Sequence, residues 1–304
     1  LLMNDNTDLH PTDELDLLSD SVRDFCTRSL GLPRLRALRE HARSFDRDVW
    51  LQMAGLGWVD AVLPADLDGA ELGADGVARI AYELGRALSP EPFLETAVAA
   101  VSLLGAVAPH DLRLSRARAG SFVLVAPTTL EAWRDACPIT AHRDGDVFVL
   151  RGRLKNIALL DLADGVLIPA RLDGQLALFV LPASACSKNE YRLADGSCAG
   201  DITFDNERVS RSDHLVAERI PAAAITHMLA LLGLGASAYL QGLAEALFEM
   251  TLEHVRTRQQ FGRAIGSFQA LQHRLVDCYL HNRLAGAVIK EVSTHRLGEA
   301  LPGT

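Results

Sequence analysis

Residues 257–275 read TRQQFGRAIGSFQALQHRL. The apolar positions before them, from Met228, Leu231 and Leu232 through Tyr239, Leu243 and Leu247 to Val255, recur at helical spacing. The stretch therefore stands at the end of a long helix, about 35 residues or ~50 Å at 1.5 Å per residue. Gly262 turns the chain after the Arg258 guanidinium. A second helix is expected past Gly266-Ser267, with Ser267 as its N-cap and Leu271, Leu275, Cys278 and Tyr279 along its apolar stripe. Helix starts attract anions through unpaired N–H groups, and arginine grips phosphate oxygens bidentately. Phe261 and Phe268 are placed to flank a flat ring, and Gln269 to hydrogen-bond to one. The same residues also suit a plain helix hairpin with a surface arginine and core phenylalanines, and spacing alone leaves both open.

Upstream, from about 120 to 215, the texture is different. SFVLVAP, DVFVLRGRL, DGVLIPARL and QLALFVLPA are short Val/Leu/Phe runs broken by RDGD, ADG and LDGQ turns. Such runs predict an antiparallel sheet or small barrel. They do not alternate with helices, which disfavours a doubly wound parallel sheet. Further upstream Leu15, Leu18, Val22 and Phe25 mark one helix, Phe45, Val49, Trp50, Met53 and Leu56 a second, and Val77, Ile80, Ala81, Leu84 and Leu88 a third that Pro90 and Pro92 close. The fold class is α+β: a helical domain over 1–118, a β domain over 119–218 and a helical domain over 219–304.

Of 304 residues, 49% are apolar and 23% charged, ordinary globular usage with room for two or three subdomains. The balance of 39 acidic to 30 basic residues, with no basic face, argues against a nucleic-acid partner. Five scattered cysteines without a CxxC pair read as reduced thiols of a cytoplasmic protein. The first residues lack the basic-then-apolar run of a signal peptide, and no apolar run approaches the ~20 residues of a membrane span. No HxxxH or HExxH pair is present, so no metal ligands are assigned. Gly233-Leu234-Gly235-Ala236-Ser237-Ala238 matches a loose dinucleotide fingerprint, but it lies inside a helical pattern. That fingerprint needs a strand before it and a helix starting at the glycines. Small residues there serve close helix packing instead.

The run from Arg258 to Gln269 is similar to the acyl-CoA dehydrogenase signature R-x-x-F-G-x-x-I-x-x-F-Q, and Gln272 with Leu275 continues it. The likeness extends along nearly the whole chain. FDRDVWLQMAGLGWVDAVLPADLDG and YELGRALSPEPFLET resemble the family's N-terminal segments. FVLRGRLKNI, LADGVLIPAR and DITFDNERV resemble its β domain and the strand beyond. The resemblance implies a flavoprotein oxidoreductase that takes hydrogens from Cα and Cβ of an acyl-CoA. It also implies that Arg258, Gln260, Phe261, Phe268 and Gln269 reach across a subunit interface to the ADP half of a neighbour's FAD.

Other positions depart from that family pattern. The flavin-lining T-E-P-x-x-G-S-D loop is replaced by VAPTTLEAWRDACPIT. Asn156 and Ala158 stand where an aromatic and a hydroxyl residue contact the flavin ring. No catalytic glutamate is assigned. The position some members use on the long helix falls on Leu232-Gly233, and the one most others use lies further past Arg258 than this sequence runs. Without a base the rate falls by orders of magnitude. The resemblance therefore implies a degenerate subunit of an α2β2 heteromer. It would serve the FAD of a homologous acyl-CoA dehydrogenase subunit that turns over an acyl-CoA, by analogy a bulky steroid-derived one. A self-sufficient homotetramer with further helices, and a non-redox protein on the same fold, stay open.

Overall fold

The structure, a computed structural model, describes residues 11–134 and 136–294. Four helices open the chain: α1 (Pro11–Ser29), α2 (Leu32–Glu40), α3 (Arg47–Gly55) and α4 (Gly73–Arg86). Asp46 caps α3, its carboxylate accepting from the Asp48 N–H at 2.9 Å. That turn carries Val49, Trp50 and Met53 into the core. Beyond Pro92 the chain winds at once into a π-helical segment, Phe93–Val101. It runs on as α5 (Ser102–Val107) before α6 (Leu112–Arg118). The prolines thus end one helix and introduce another. The new helix escaped the periodic reading because FLETAVAAVSLLGAV is apolar on nearly every side, as a buried helix is.

The middle of the chain forms β1 (Leu124–Val125), β2 (Ile139–Asp144), β3 (Val147–Ala158), β4 (Gly165–Leu172), β5 (Gln175–Pro182), β6 (Ser187–Arg192) and β7 (Cys198–Ser210). The short α7 (Arg211–His214) and β8 (Leu215–Ala217) follow. The eight strands make one sheet, in the order β6-β7-β3-β2-β4-β5-β8 with β1 beside β4. Pairing is antiparallel except at β4, which lies parallel to β1 and meets β2 in parallel at Thr140–Arg171. Ser44 ties the helices to the sheet. Its hydroxyl donates to Asp161 at 2.8 Å and accepts from the Cys198 N–H at 2.9 Å.

α8 (Ala222–Thr257) is a single helix of 36 residues, so the glycines of the fingerprint-like stretch sit mid-helix. Its mean hydropathy reaches 1.5 over an 18-residue window, so by length and composition α8 could cross a bilayer. The search for unbroken apolar runs did not foresee this, because alanines and glycines carry that value. Here they serve packing. A Cβ at Gly242 would stand 2.0 Å from the Tyr82 carbonyl oxygen of α4, and one at Gly235 would stand 2.7 Å from Leu94. Gly233, by contrast, faces open space. Tyr82 donates to Glu245 at 2.9 Å and Arg86 pairs with Glu249 at 2.7 Å along the same seam. A hairpin, β9 (Gln259–Gln260) and β10 (Arg263–Ala264), then leads to α9 (Gln269–Thr294). Along α9 the side chains of Val276, Leu280, Leu284, Val288 and Val292, four residues apart, are exposed.

Candidate functional site

The hairpin places every residue singled out around Arg258. The last turn of α8 closes with the Arg258 N–H donating to the His254 carbonyl at 2.8 Å, and the chain then leaves the helix. Gln260 pairs with Arg263 and Gln259 with Ala264, so Phe261 and Gly262 form a two-residue turn. Both have positive φ, 53° and 78°, as a type I′ turn demands. Glycine accepts that conformation freely, whereas a phenylalanine there is strained. At the tip of this turn Phe261 is 91% exposed. Phe268 stands edge-on to it at 6.1 Å, with the Arg263 guanidinium 4.2 Å from the Phe268 ring centroid. Arg258, Gln260 and Gln269 are exposed beside them, and Arg258 makes no ion pair among the described residues.

The cap expected at Ser267 is absent. Its hydroxyl donates back to the Ala264 carbonyl at 2.7 Å, and α9 begins instead with Gln272 and Leu271 N–H groups on the Phe268 carbonyl. The Gln272 amide holds the turn by donating to the Gly266 carbonyl at 3.0 Å. Free donors, a cation and two rings thus converge on solvent, a set suited to a phosphate-bearing ligand with a flat base. Leaving a bulky residue at positive φ costs about 1–3 kcal/mol. Phe261→Gly is therefore expected to stabilise the chain by about 1 kcal/mol in a denaturant titration, since the ring buries almost nothing within the chain. An unchanged or lower midpoint would contradict the strain.

The hairpin shares no residue with the chain's own central cavity. That cavity, about 260 Å³, opens between α2, the π-helical segment, the end of β3, the β6–β7 turn and α8. Ala158 lines it, but Asn156 does not. Asn156 has φ 55° where β3 and β7 slip register, and it is exposed. Its N–H donates to Asp201 at 3.0 Å and its side-chain oxygen accepts from Tyr191. Arg153 pairs with the same Asp201 at 2.6 Å. The segment where a flavin-lining loop was expected folds inward: Trp133 is buried and donates to the Pro127 carbonyl at 2.6 Å. Leu232 and Gly233 lie mid-helix and bear no ionisable group. Among the described residues no group of His, Cys, Asp or Glu is arranged to hold a metal.

Two side chains in that cavity were not singled out from the sequence as functional. Glu95 is half-buried there, and burial pushes its carboxyl above the ordinary range. Tyr239 donates to the Ser89 carbonyl at 3.0 Å. Burial first, and the nearby Glu95 charge second, push its phenol up as well. The visible signal was a lone charge in the apolar run FLETAVAAV.

Helices, a central sheet and a long-helix hairpin in this order, ending in a cationic aromatic turn, define an acyl-CoA dehydrogenase architecture. Residues 12–108 match the acyl-CoA dehydrogenase N-terminal domain and residues 223–297 the acyl-CoA dehydrogenase C-terminal domain. The chain is 30% identical to acyl-CoA dehydrogenase IpdE2 of Mycobacterium tuberculosis, over 92% of this chain and 76% of that protein. It is similar in structure to the steroid ACAD variant Tcur3481-Tcur3483, with TM-score 0.79, 27% identity, and coverage of 93% of this chain and 78% of that one. The ChsE4-ChsE5 complex from Mycobacterium tuberculosis gives TM-score 0.76 and 26% identity over 94% of this chain and 78% of the matched one. The chain belongs to the acyl-CoA dehydrogenase family, an oxidoreductase family.

Proposed function

We propose that this chain is the supporting subunit of a cytoplasmic, heteromeric, FAD-dependent acyl-CoA dehydrogenase that forms the α,β double bond of an acyl-CoA thioester. The observation that carries this reading is the strained turn that exposes Phe261 outside the chain's own cavity, beside Arg258, which makes no ion pair among the described residues. An aromatic ring held almost wholly in water is expensive unless a ligand or partner covers it. Arg258, Gln260, Phe261, Phe268 and Gln269 fit the outer, phosphate-bearing half of an FAD seated in a homologous subunit. FAD, when bound, supplies the two-electron acceptor for oxidation of the Cα–Cβ bond. Of this chain's ring-contact positions, Asn156 is engaged by Tyr191 and Asp201 and Ala158 offers no hydroxyl, while the segment that replaces the flavin-lining loop is closed on itself through Trp133 and Pro127. Oxidation then falls to the partner's pocket and its base. The apolar ladder on α9 supports an α2β2 assembly, as does likeness to the ChsE4-ChsE5 complex. Likeness to the steroid ACAD variant favours a bulky, steroid-derived acyl group.

The test is co-expression with the homologous subunit encoded beside it. A stable flavin-bearing complex is expected. Arg258→Ala is expected to keep the complex but weaken flavin retention about tenfold, the loss of one charge-assisted contact of at least 1.4 kcal/mol. No complex, or unchanged retention, sinks the proposal. Flavin held tightly by this chain alone would instead favour a self-sufficient homotetramer, and no flavin in any assembly would favour a non-redox protein.

A further inference from the structure

A groove of about 840 Å³ runs between α1 and α4 on one side and α8 and α9 on the other, and it shares no lining residue with the central cavity or the hairpin. At one end the Ser293 hydroxyl of α9 donates to Asp75 of α4 at 3.1 Å and joins the two walls. Ala78, Ala238, Gly286 and Ala287 line the groove with side chains too small to fill it. Its volume falls in the range of small-molecule sites, about 300–1,000 Å³. Two acceptors in it lack donors. Gln241 is only 7% exposed, and its Nε2 is spent on the Asn282 carbonyl at 3.0 Å, so Oε1 has no partner among the described residues. Glu245, one turn further along α8, is half-buried and accepts the Tyr82 hydroxyl on Oε2 at 2.9 Å, which leaves Oε1 in the same position. Buried acceptors without donors weigh against folding.

The charges around these acceptors are divided between the walls. Arg23 is shared by Asp20 and Glu83, and Arg79 by Asp16 and Asp75, so the α1–α4 wall is acidic on balance. Glu245 adds a carboxylate that makes no ion pair among the described residues. Arg283 and Lys290, exposed on α9, are cations that make none either. Positions four apart on a helix bring side chains within about 5–6 Å, a gap that one guanidinium spans with separate N–H groups. We propose that the groove binds a small zwitterion, with a guanidinium or ammonium head on Gln241 and Glu245 and a carboxylate beside Arg283 and Lys290. No bond is made or broken there. A ligand so held ties α9 to the α1–α4 wall and stabilises the folded chain by mass action.

The experiment titrates the full chain by calorimetry with γ-guanidinobutyrate and with agmatine, which have the same head and a similar length but end in a carboxylate and an ammonium. The carboxylate-ended probe is expected to bind about tenfold more tightly, because the other places a cation beside Arg283 and Lys290. Glu245→Gln keeps an acceptor for Tyr82 while removing the charge, and should weaken γ-guanidinobutyrate about tenfold. Arg283→Ala combined with Lys290→Ala, both at exposed positions, should bring the two affinities level, and this pair decides the matter should Glu245→Gln fail to melt cooperatively. No binding of γ-guanidinobutyrate, equal affinities in the unmodified chain, or an unchanged affinity in folded Glu245→Gln overturns the proposal. Binding by the free chain that vanishes in the complex with the homologous subunit overturns it too, since that subunit then supplies the cation.

Discussion

Gly242→Leu is expected to leave no stably folded chain. The added Cβ would lie 2.0 Å from the Tyr82 carbonyl oxygen and 3.0 Å from the Arg86 backbone nitrogen, so the obstacle is main chain on main chain. Side chains can rotate away from an intruder, but two helices joined by such a contact can only separate. Separation would break the α4–α8 seam, including Tyr82–Glu245 and Arg86–Glu249. Overpacking alone costs about 1–3 kcal/mol, and losing a seam between core helices exceeds that, against a typical total of 5–15 kcal/mol. Gly233→Leu in the same helix is the control. A Cβ there meets nothing within 4 Å, and leucine is the better helix former by somewhat under about 1 kcal/mol. Circular-dichroism melts should show a cooperative transition near the unmodified one for Gly233→Leu and none for Gly242→Leu. Similar melts for both would mean that the helices do not meet at Gly242.

Arg34→Ala should cost about 3–5 kcal/mol, the usual penalty for stranding one member of a buried pair. Glu91 is the stranded group, its carboxylate wholly shielded while Arg34 keeps 19% of its side chain exposed. Burial already pushes the Glu91 carboxyl up, and Arg34 is the strongest influence pulling it back down. Removing Arg34 leaves burial opposed only by Ser89 and backbone donors, so the folded-state carboxyl rises further. The native state then holds a proton that the unfolded state releases above the ordinary glutamate value, about 4.3. Stability therefore falls as pH climbs through that value towards the raised one. The variant's deficit should be smallest in acid and should widen towards neutrality. Denaturant titrations at several pH values would check it, and a deficit that grew on acidification would refute the assignment of Glu91 as the stranded charge.

The long-helix hairpin was legible because its residues do two visible jobs at once. Apolar spacing from Met228 to Val255 announces α8, and Arg258, Phe261 and Gly262 interrupt it with types that no continuing helix would choose together. The strands were legible for a related reason: DVFVLRGRL and QLALFVLPA each follow an Asp-Gly turn, Asp144-Gly145 and Asp173-Gly174, of known geometry. What stayed hidden depended on burial or on neighbours far along the chain. The helix through Phe93–Val101 has no polar face, so its period is invisible. The parallel meeting of Thr140 with Arg171 leaves no local mark in either strand. Ser267 has the right side chain for a cap but spends it on Ala264. Glu95 was not singled out, because the cavity around it is built from α2, β3 and α8, far apart in the chain. Nor does a sequence disclose that Phe261 occupies positive φ, which turns an ordinary aromatic into a strained, outward one.

The ladder from Val276 to Val292 on α9 makes concentration a property of this protein's state. Apolar surface left in water attracts any matching surface at about 25 cal/mol per Å², so a copy of this chain gains from meeting another copy. Its melting temperature therefore shifts with how much protein is in the tube, since whatever binds the folded form stabilises it by mass action. In a cell the same surface makes an uncovered copy recognisable to chaperones and proteases, which act on exposed apolar chain.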